Sequence, residues 1–372
     1  MHPGPGPSNA APLEPRHAEQ HVLFRRQGTY AAFPLLERTA DGRLATAWLM
    51  NDQGVHDHYG LYEWRVQVSA DEGGTWAASE GVDPAVPFTW PGSSPRERYD
   101  RYAGAAAGGR LVVAGAVGWE AWPAQRQAEA AAAGRRWEPH PSSDPDQIVV
   151  AGHKLFTQCS SDGARTWQRR EWTLPPGQSL LGFPRPTVLA DGTVLAPLYE
   201  YPRGDATHGR NALLRSTDGG HTWSYLLVGE WPPFGNESAL IETRPGHVLA
   251  LIRLAEPGYL IACWSEDAGA SWSLPVQTGM WGFPPHLLRL RDGRLLCSVG
   301  VRRAPFGVQA YIGEDGSAWD AAHPALLRAD GESRDLGYPI SLQLGDGSIY
   351  TVYYMTTGGV THVAASRWEL PW

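Results

Sequence analysis

Cysteine is nearly absent. Cys159, Cys263 and Cys297 are the three in 372 residues, an odd number at wide spacing with no Cys-x-x-Cys pair, which argues against a disulfide framework and a cysteine zinc site. A reducing cytoplasm is the expected setting. Long apolar runs are missing too: no stretch approaches the roughly eighteen residues of a membrane-spanning helix. Residues 1–20 are rich in Pro, Gly and Ala and lack the apolar core of a signal peptide, so they read as a disordered tail. Basic excess is also lacking. With 31 Lys and Arg against 39 Asp and Glu, the net charge is −8, and no Lys/Arg run offers a nucleic-acid surface. An anionic group on a small substrate must then be met by a local arginine cluster.

What the chain has in quantity is Gly (43), Pro (31) and Trp (17), a composition for short strands, tight turns and aromatic packing. One word recurs four times: Ser69 to Trp76, Ser160 to Trp167, Ser216 to Trp223 and Ser265 to Trp272 all follow Ser-x-Asp-x-x-x-Thr/Ser-Trp. Its Asp accepts hydrogen bonds from turn amides, its Gly tolerates positive φ, and its Trp is an apolar wedge. This word, the Asp box, is structural. A decayed fifth copy, Ile312 to Trp319, keeps the Gly and the Trp.

A second repeat is an apolar strand, a Gly turn and another apolar strand, centred on residues 41–42, 108–109, 191–192, 245–246, 292–293 and 346–347. Asp-Gly between alternating apolar residues is a strong hairpin signal. Six hairpins with partner strands predict an all-β, six-bladed propeller of four-stranded antiparallel blades over residues 21–372. His21 to Arg26 and Val360 to Trp368 are expected to share the last blade. The longest interval between turns holds an Ala-rich stretch, predicting a helical insertion at about 121–146.

Ligands of propellers bind at a mouth of the central channel. Pro34, Pro184, Pro285 and Pro339 each stand seven residues before a turn Asp, and at the matching place the fourth hairpin has Glu237-Ser238. Residues at this shared position face one another, which makes Glu237 and Tyr338 candidates for one site.

Here the chain resembles the sialidases, exo-acting glycosidases on six-bladed propellers. Asn236 to Arg253 is similar to the segment carrying the sialidase catalytic Glu and a substrate-binding Arg, and Gly337 to Gly347 to the one that begins with the nucleophilic Tyr. The resemblance implies Tyr338 as nucleophile, Glu237 as its base, Asp57 as acid/base, and Arg253 with Arg302 (or the adjacent Arg303) as the anion clamp. The physical logic agrees. A phenol with a pKa near 10 needs a base to attack, and a neutral nucleophile avoids repulsion from a carboxylate on the sugar.

One position departs. The resemblance implies a further Arg two residues before the first Pro, where this chain has Ala32, and Arg185 is the candidate replacement. His286 and His58 are candidate hydroxyl-binding or acid/base residues. His56 and His58 have a metal-ligand spacing without a third ligand, so no metal and no cofactor is implied. The expected partner is a carbohydrate, with neither nucleic acid nor membrane. Two other functions fit the same residues: a polysaccharide lyase using Tyr338, His58 or His286 as base, and a sugar-binding propeller without catalysis.

Overall fold

The Asp box shows how local chemistry builds the architecture. In the first copy Ser69 Oγ donates to Asp71 Oδ1 at 2.7 Å and accepts the Gly73 amide at 2.9 Å, while Thr75 donates its amide and hydroxyl to Asp71 at 2.8 and 2.7 Å. Asp218 and Asp267 repeat these bonds with Ser216 and Thr222, and with Ser265 and Ser271. One carboxylate thus closes a turn whose amides would otherwise lack partners. These hydrogen bonds hold the Asp71 and Asp267 carboxyls at about 2, and Asp218 reaches about 2 although partial burial opposes its bonds.

The box Gly sets the packing between units. Gly73 (φ +88°) lies against the Tyr350 ring, Gly220 against Val112, Gly269 against Leu195, and Gly316 of the decayed copy against Leu249. Of these four boxes, the later three therefore dock on the preceding unit in the chain, and the first docks on the last unit. Trp76 adds a 3.2 Å bond from Nε1 to the Tyr350 hydroxyl.

The computed structural model describes residues 12–39, 41–52, 54, 63–79, 100–107, 110–117, 119–140, 144–152, 154–162, 166–173, 179–181, 185–201, 210–228, 235–254 and 258–370. Nearly all regular structure in them is β, and all six expected hairpins pair antiparallel. Four-stranded sheets hold Asp100–Ala107 through Thr173, Gly235–Arg244 through Trp281, and His286–Arg289 through Gly331. A five-stranded sheet spans Ser179–Leu181 through Leu227.

The first and last units depart from separate four-stranded blades. A parallel bridge between Tyr30 and Thr361 joins them into one eight-stranded sheet. Arg16–Phe24 pairs antiparallel with Val360–Glu369. The strand therefore begins inside the segment expected to be a tail. Its sequence is polar, and tertiary contacts decide its state: Gln20 accepts the hydroxyls of Tyr353 and Ser366, each at 2.8 Å, and donates to Leu327 O at 3.2 Å.

Among its described residues the insertion is helical only at Ala124–Arg126 and Gln127–Ala132, and more of them form a small sheet of Trp119–Pro123, Trp137–Pro139 and Gln147–Ala151. Ala130 packs there with Ile148 and Val150. Elsewhere the core lies between neighbouring sheets. Leu189, Leu195 and Leu213 of one sheet meet Val248, Ile252 and Ile261 of the next, each such side chain contributing about 1.5–3 kcal/mol on burial.

Candidate active site

Three inner strands begin with the same irregularity. Pairing register breaks between Ala32 and Leu35, between Gly235 and Ser238, and between Gly337 and Ile340. A bulge of this kind re-aims one side chain off the sheet, and the residues so placed are Phe33, Glu237 and Tyr338.

Glu237 is fixed by its neighbours. Buried Asn211, on the adjoining sheet, donates Nδ2 to Asn236 O at 2.6 Å and to Ser238 Oγ at 2.9 Å, and Asn236 Oδ1 accepts the Glu237 amide at 2.8 Å. A Cβ at Gly235 would lie 2.0 Å from Asn211 Oδ1 and 2.3 Å from Ile252 Cγ2, so this approach requires glycine.

Tyr338 is held as tightly. Immediately before it, Gly337 stands back to back with Gly300 of another strand, a Cβ on Gly300 falling 2.8 Å from Gly337 Cα. Leu336 O accepts Arg302 Nε at 2.9 Å, and Asp335 accepts the hydroxyls of Tyr30 and Tyr354 at 2.8 and 2.7 Å. The consecutive residues 335–338 are thus each pinned. Tyr338 itself has φ +47°, unusual for a bulky side chain.

These strands bring four expected residues together. The Tyr338 hydroxyl donates to Glu237 Oε1, and Arg253 Nη1 donates to Glu237 Oε2 at 2.5 Å. The Arg253 guanidinium lies 4.3 Å from the Phe283 ring centre, and Arg302 lies 5.5 Å from Phe283 and 5.7 Å from Tyr338. Glu237 and Arg253 side chains are only 16% and 15% exposed, so their charges meet in a poorly hydrated place.

Electrostatics follow from that burial. Desolvation pushes the Glu237 carboxyl up, but Arg253, the Tyr338 hydroxyl and Arg302 together outweigh it and hold the group below the usual glutamate value. Burial raises the Tyr338 phenol well above its ordinary value, and the Glu237 charge adds to this. The resting pair is a neutral phenol bonded to a carboxylate. Such a pair can pass the phenol proton to Glu237 as the oxygen attacks an electrophile.

Arg185 and His286 form a different cluster. Arg185 pairs with Glu37 and donates to Leu36 O at 3.2 Å, and its Nη1 lies 3.4 Å from His286 Nε2. His286 Nδ1 accepts the Ser341 amide at 3.3 Å. Burial, then the Arg185 charge, drives the imidazole well below its usual value, so it is neutral at pH 7. No hydrogen bond or ion pair joins this cluster to Glu237 and Tyr338 among the described residues. Arg185 is thus engaged by Glu37 and His286, and position 32 is a fully buried alanine. Asp57 and His58 lie outside the described residues, and no group of three or more His, Cys, Asp or Glu suited to a metal occurs among those described.

Residues 134–351, more than half the chain, match the BNR repeat-like domain. The chain belongs to the BNR repeat-like domain family. No curated protein matches this BNR repeat-like chain, but solved structures do. A protein of unknown function from Dyadobacter fermentans is 23% identical with a TM-score of 0.75, the match covering 95% of this chain and 100% of that one. The K499G mutant of the NanB sialidase from Streptococcus pneumoniae is 13% identical with a TM-score of 0.61 over 94% and 70% of the two chains. Trypanosoma rangeli sialidase, solved with sialic acid, is 14% identical with a TM-score of 0.60 over 96% and 60%. The fold of this BNR repeat-like chain is thus sialidase-like.

Asn211, Phe283 and Asp335 escaped the reading of the sequence. A signal existed for Phe283, because Gly282-Phe283-Pro284 repeats Gly182-Phe183-Pro184. Asn211 and Asp335 act through partners distant in sequence and left no local pattern.

Proposed function

We propose that this chain is a retaining exo-glycosidase that removes a terminal acidic sugar, working at the mouth of a six-bladed ring. The hydrogen bond from the Tyr338 hydroxyl to Glu237, with Glu237 clamped by Arg253, is the observation that carries the reading. The docking of the first Asp box on the last unit supports the closed ring.

In the first step Tyr338 Oη bonds to the anomeric carbon while its proton passes to Glu237, and the glycosidic bond breaks with its electrons leaving on the aglycone oxygen. An acid protonates that oxygen. Asp57 is assigned this role from the sequence resemblance alone. Water then attacks the glycosyl-tyrosine from the face the aglycone left, giving its proton to the same acid, and Glu237 returns the proton to the phenolate. Two displacements restore the configuration. Arg302 offers guanidinium donors to the sugar's anionic group.

The lyase alternative has less support. Arg253 is engaged by Glu237, and His286 faces Arg185 rather than Tyr338.

The test is trapping. Wild type incubated with a fluorinated acidic glycosyl donor should gain the mass of one glycosyl group on the peptide bearing Tyr338, and Tyr338→Phe should gain none. Cleavage of no acidic aryl glycoside, or labelling elsewhere, refutes the reading.

A further inference from the structure

Arg302 and Arg303 follow the strand Leu295–Val301, and their guanidinium groups take different directions. Arg302 turns over Phe283 and Tyr338, whereas Arg303 lies 3.9 Å above the Trp281 ring. Trp281 in turn sits 5.9 Å, centre to centre, from Phe283. A continuous ledge of rings and guanidinium groups therefore runs from the buried Glu237–Tyr338 pair outward to Arg303, which is exposed.

The ledge is built rather than incidental. Gly258 (φ +93°) stands where a Cβ would fall 2.7 Å from Trp281 Nε1, so its missing side chain is what seats the indole. Trp281 O accepts both the Tyr311 hydroxyl at 2.8 Å and Gln309 Nε2 at 3.0 Å, and its amide donates to Tyr311 at 3.1 Å. An indole fixed this way holds the Arg303 plane by cation–π attraction. Neither Arg302 nor Arg303 has a carboxylate within ion-pair distance among the described residues, while Arg253, Arg185 and Arg328 each have one. In a chain of net charge −8, two adjacent arginines kept free of carboxylates and stacked on rings form a matched pair of anion sites.

We infer that Arg303 on Trp281 is a second anion subsite beside the first, so that the preferred ligand is an oligosaccharide with acidic groups on two adjacent sugars. This deepens the acidic-sugar reading: Arg302 meets the terminal sugar, and Arg303 meets the carboxylate or sulfate of the next.

Titration calorimetry tests it with galacturonic acid against digalacturonic acid, and sialic acid against α-linked disialic acid. Wild type should bind at least one disaccharide about tenfold more tightly than its monosaccharide, the value of one charge-assisted contact. In Arg303→Gln that ratio should fall towards one with the melting temperature unchanged. Trp281→Leu should reduce the ratio too, with Arg303 still present, because the guanidinium loses its seat. High salt should shrink the wild-type ratio. A wild-type ratio near one, binding of none of the four probes, or an unchanged ratio in Arg303→Gln overturns the inference. Binding is read apart from turnover, so a failed Tyr338 mechanism leaves this result standing, and a failed ratio leaves the Tyr338 chemistry standing.

Discussion

Phe33 and Tyr338 meet edge to face with ring centres 5.0 Å apart, and both hold positive φ, +57° and +47°. They occupy the same place in two different inner strands, each just before a proline. Where the sialidase resemblance implies an arginine beside this point, the chain has buried Ala32 and an aromatic wall of Phe33 and Tyr354. Phe33→Ala should free the Tyr338 ring to move. The expected cost is about 1–3 kcal/mol of stability for a half-buried ring, read from denaturant unfolding. A roughly tenfold loss in kcat, with KM little changed, should accompany it because the proposed nucleophile is less well placed. Unchanged kcat would show that the wall is packing alone.

The Glu237–Arg253 pair sets a pH limit. Because the folded carboxyl lies below the usual glutamate value, its anion survives into more acid solution than an ordinary Glu would. The stability linked to it is complete above the unfolded value of about 4.3 and is lost as pH falls through the lower folded value. The acid limb of kcat/KM should therefore lie below pH 4.5. Arg253→Met removes the largest opposing charge and leaves burial dominant, so the limb should move upward by roughly 1–3 pH units. A limb that stays in place would detach Glu237 from the rate.

The Asp boxes carry a separate acid sensitivity. Asp71, Asp218 and Asp267 sit at about 2, held down by hydrogen bonds to the turn. Folded values below unfolded ones mean that their stabilisation is full above roughly pH 4 and declines as pH falls towards 2. Asp218→Asn keeps one acceptor but loses the charge on the bonds from Thr222 and Ser216. Its melting temperature should drop by a few degrees at pH 7 and differ little from wild type near pH 2. A difference constant across that range would mean that the charge is irrelevant.

Features written in contiguous residues were legible before the structure. The boxes, the hairpin turns and the prolines at fixed distance from them are local, so they placed Glu237 and Tyr338 at one shared position, and the sialidase resemblance added Arg253 and Arg302. Features made by distant partners were not. Arg185 has the register of a rim residue, yet Glu37 and His286 claim it. Arg16 to Gln20 reads as a polar tail, yet the strand Val360–Glu369 offers it an edge to pair with. No local pattern marks Asn211 as the residue that fixes the backbone beside Glu237.

A matched pair of glycines isolates the contact between the chain's first and last units. Gly42 and Gly73 have nearly the same φ, +86° and +88°, so alanine meets the same backbone penalty at both, about 1 kcal/mol. Their surroundings differ. A Cβ on Gly42 touches nothing within 4 Å, while one on Gly73 would fall 2.7 Å from Cε2 of the Tyr350 ring, which is buried and already bonded to Trp76. Gly42→Ala should therefore cost only the backbone term. Gly73→Ala should cost roughly 1–3 kcal/mol more, because the box must lift off the last unit or the ring must shift. Tyr350→Ala, introduced into Gly73→Ala, removes the obstacle, so the double mutant should lose less than the sum of the two single changes. Urea unfolding of the four variants decides it: equal losses at positions 42 and 73, with strict additivity against Tyr350→Ala, would mean that the first Asp box does not bear on the last unit.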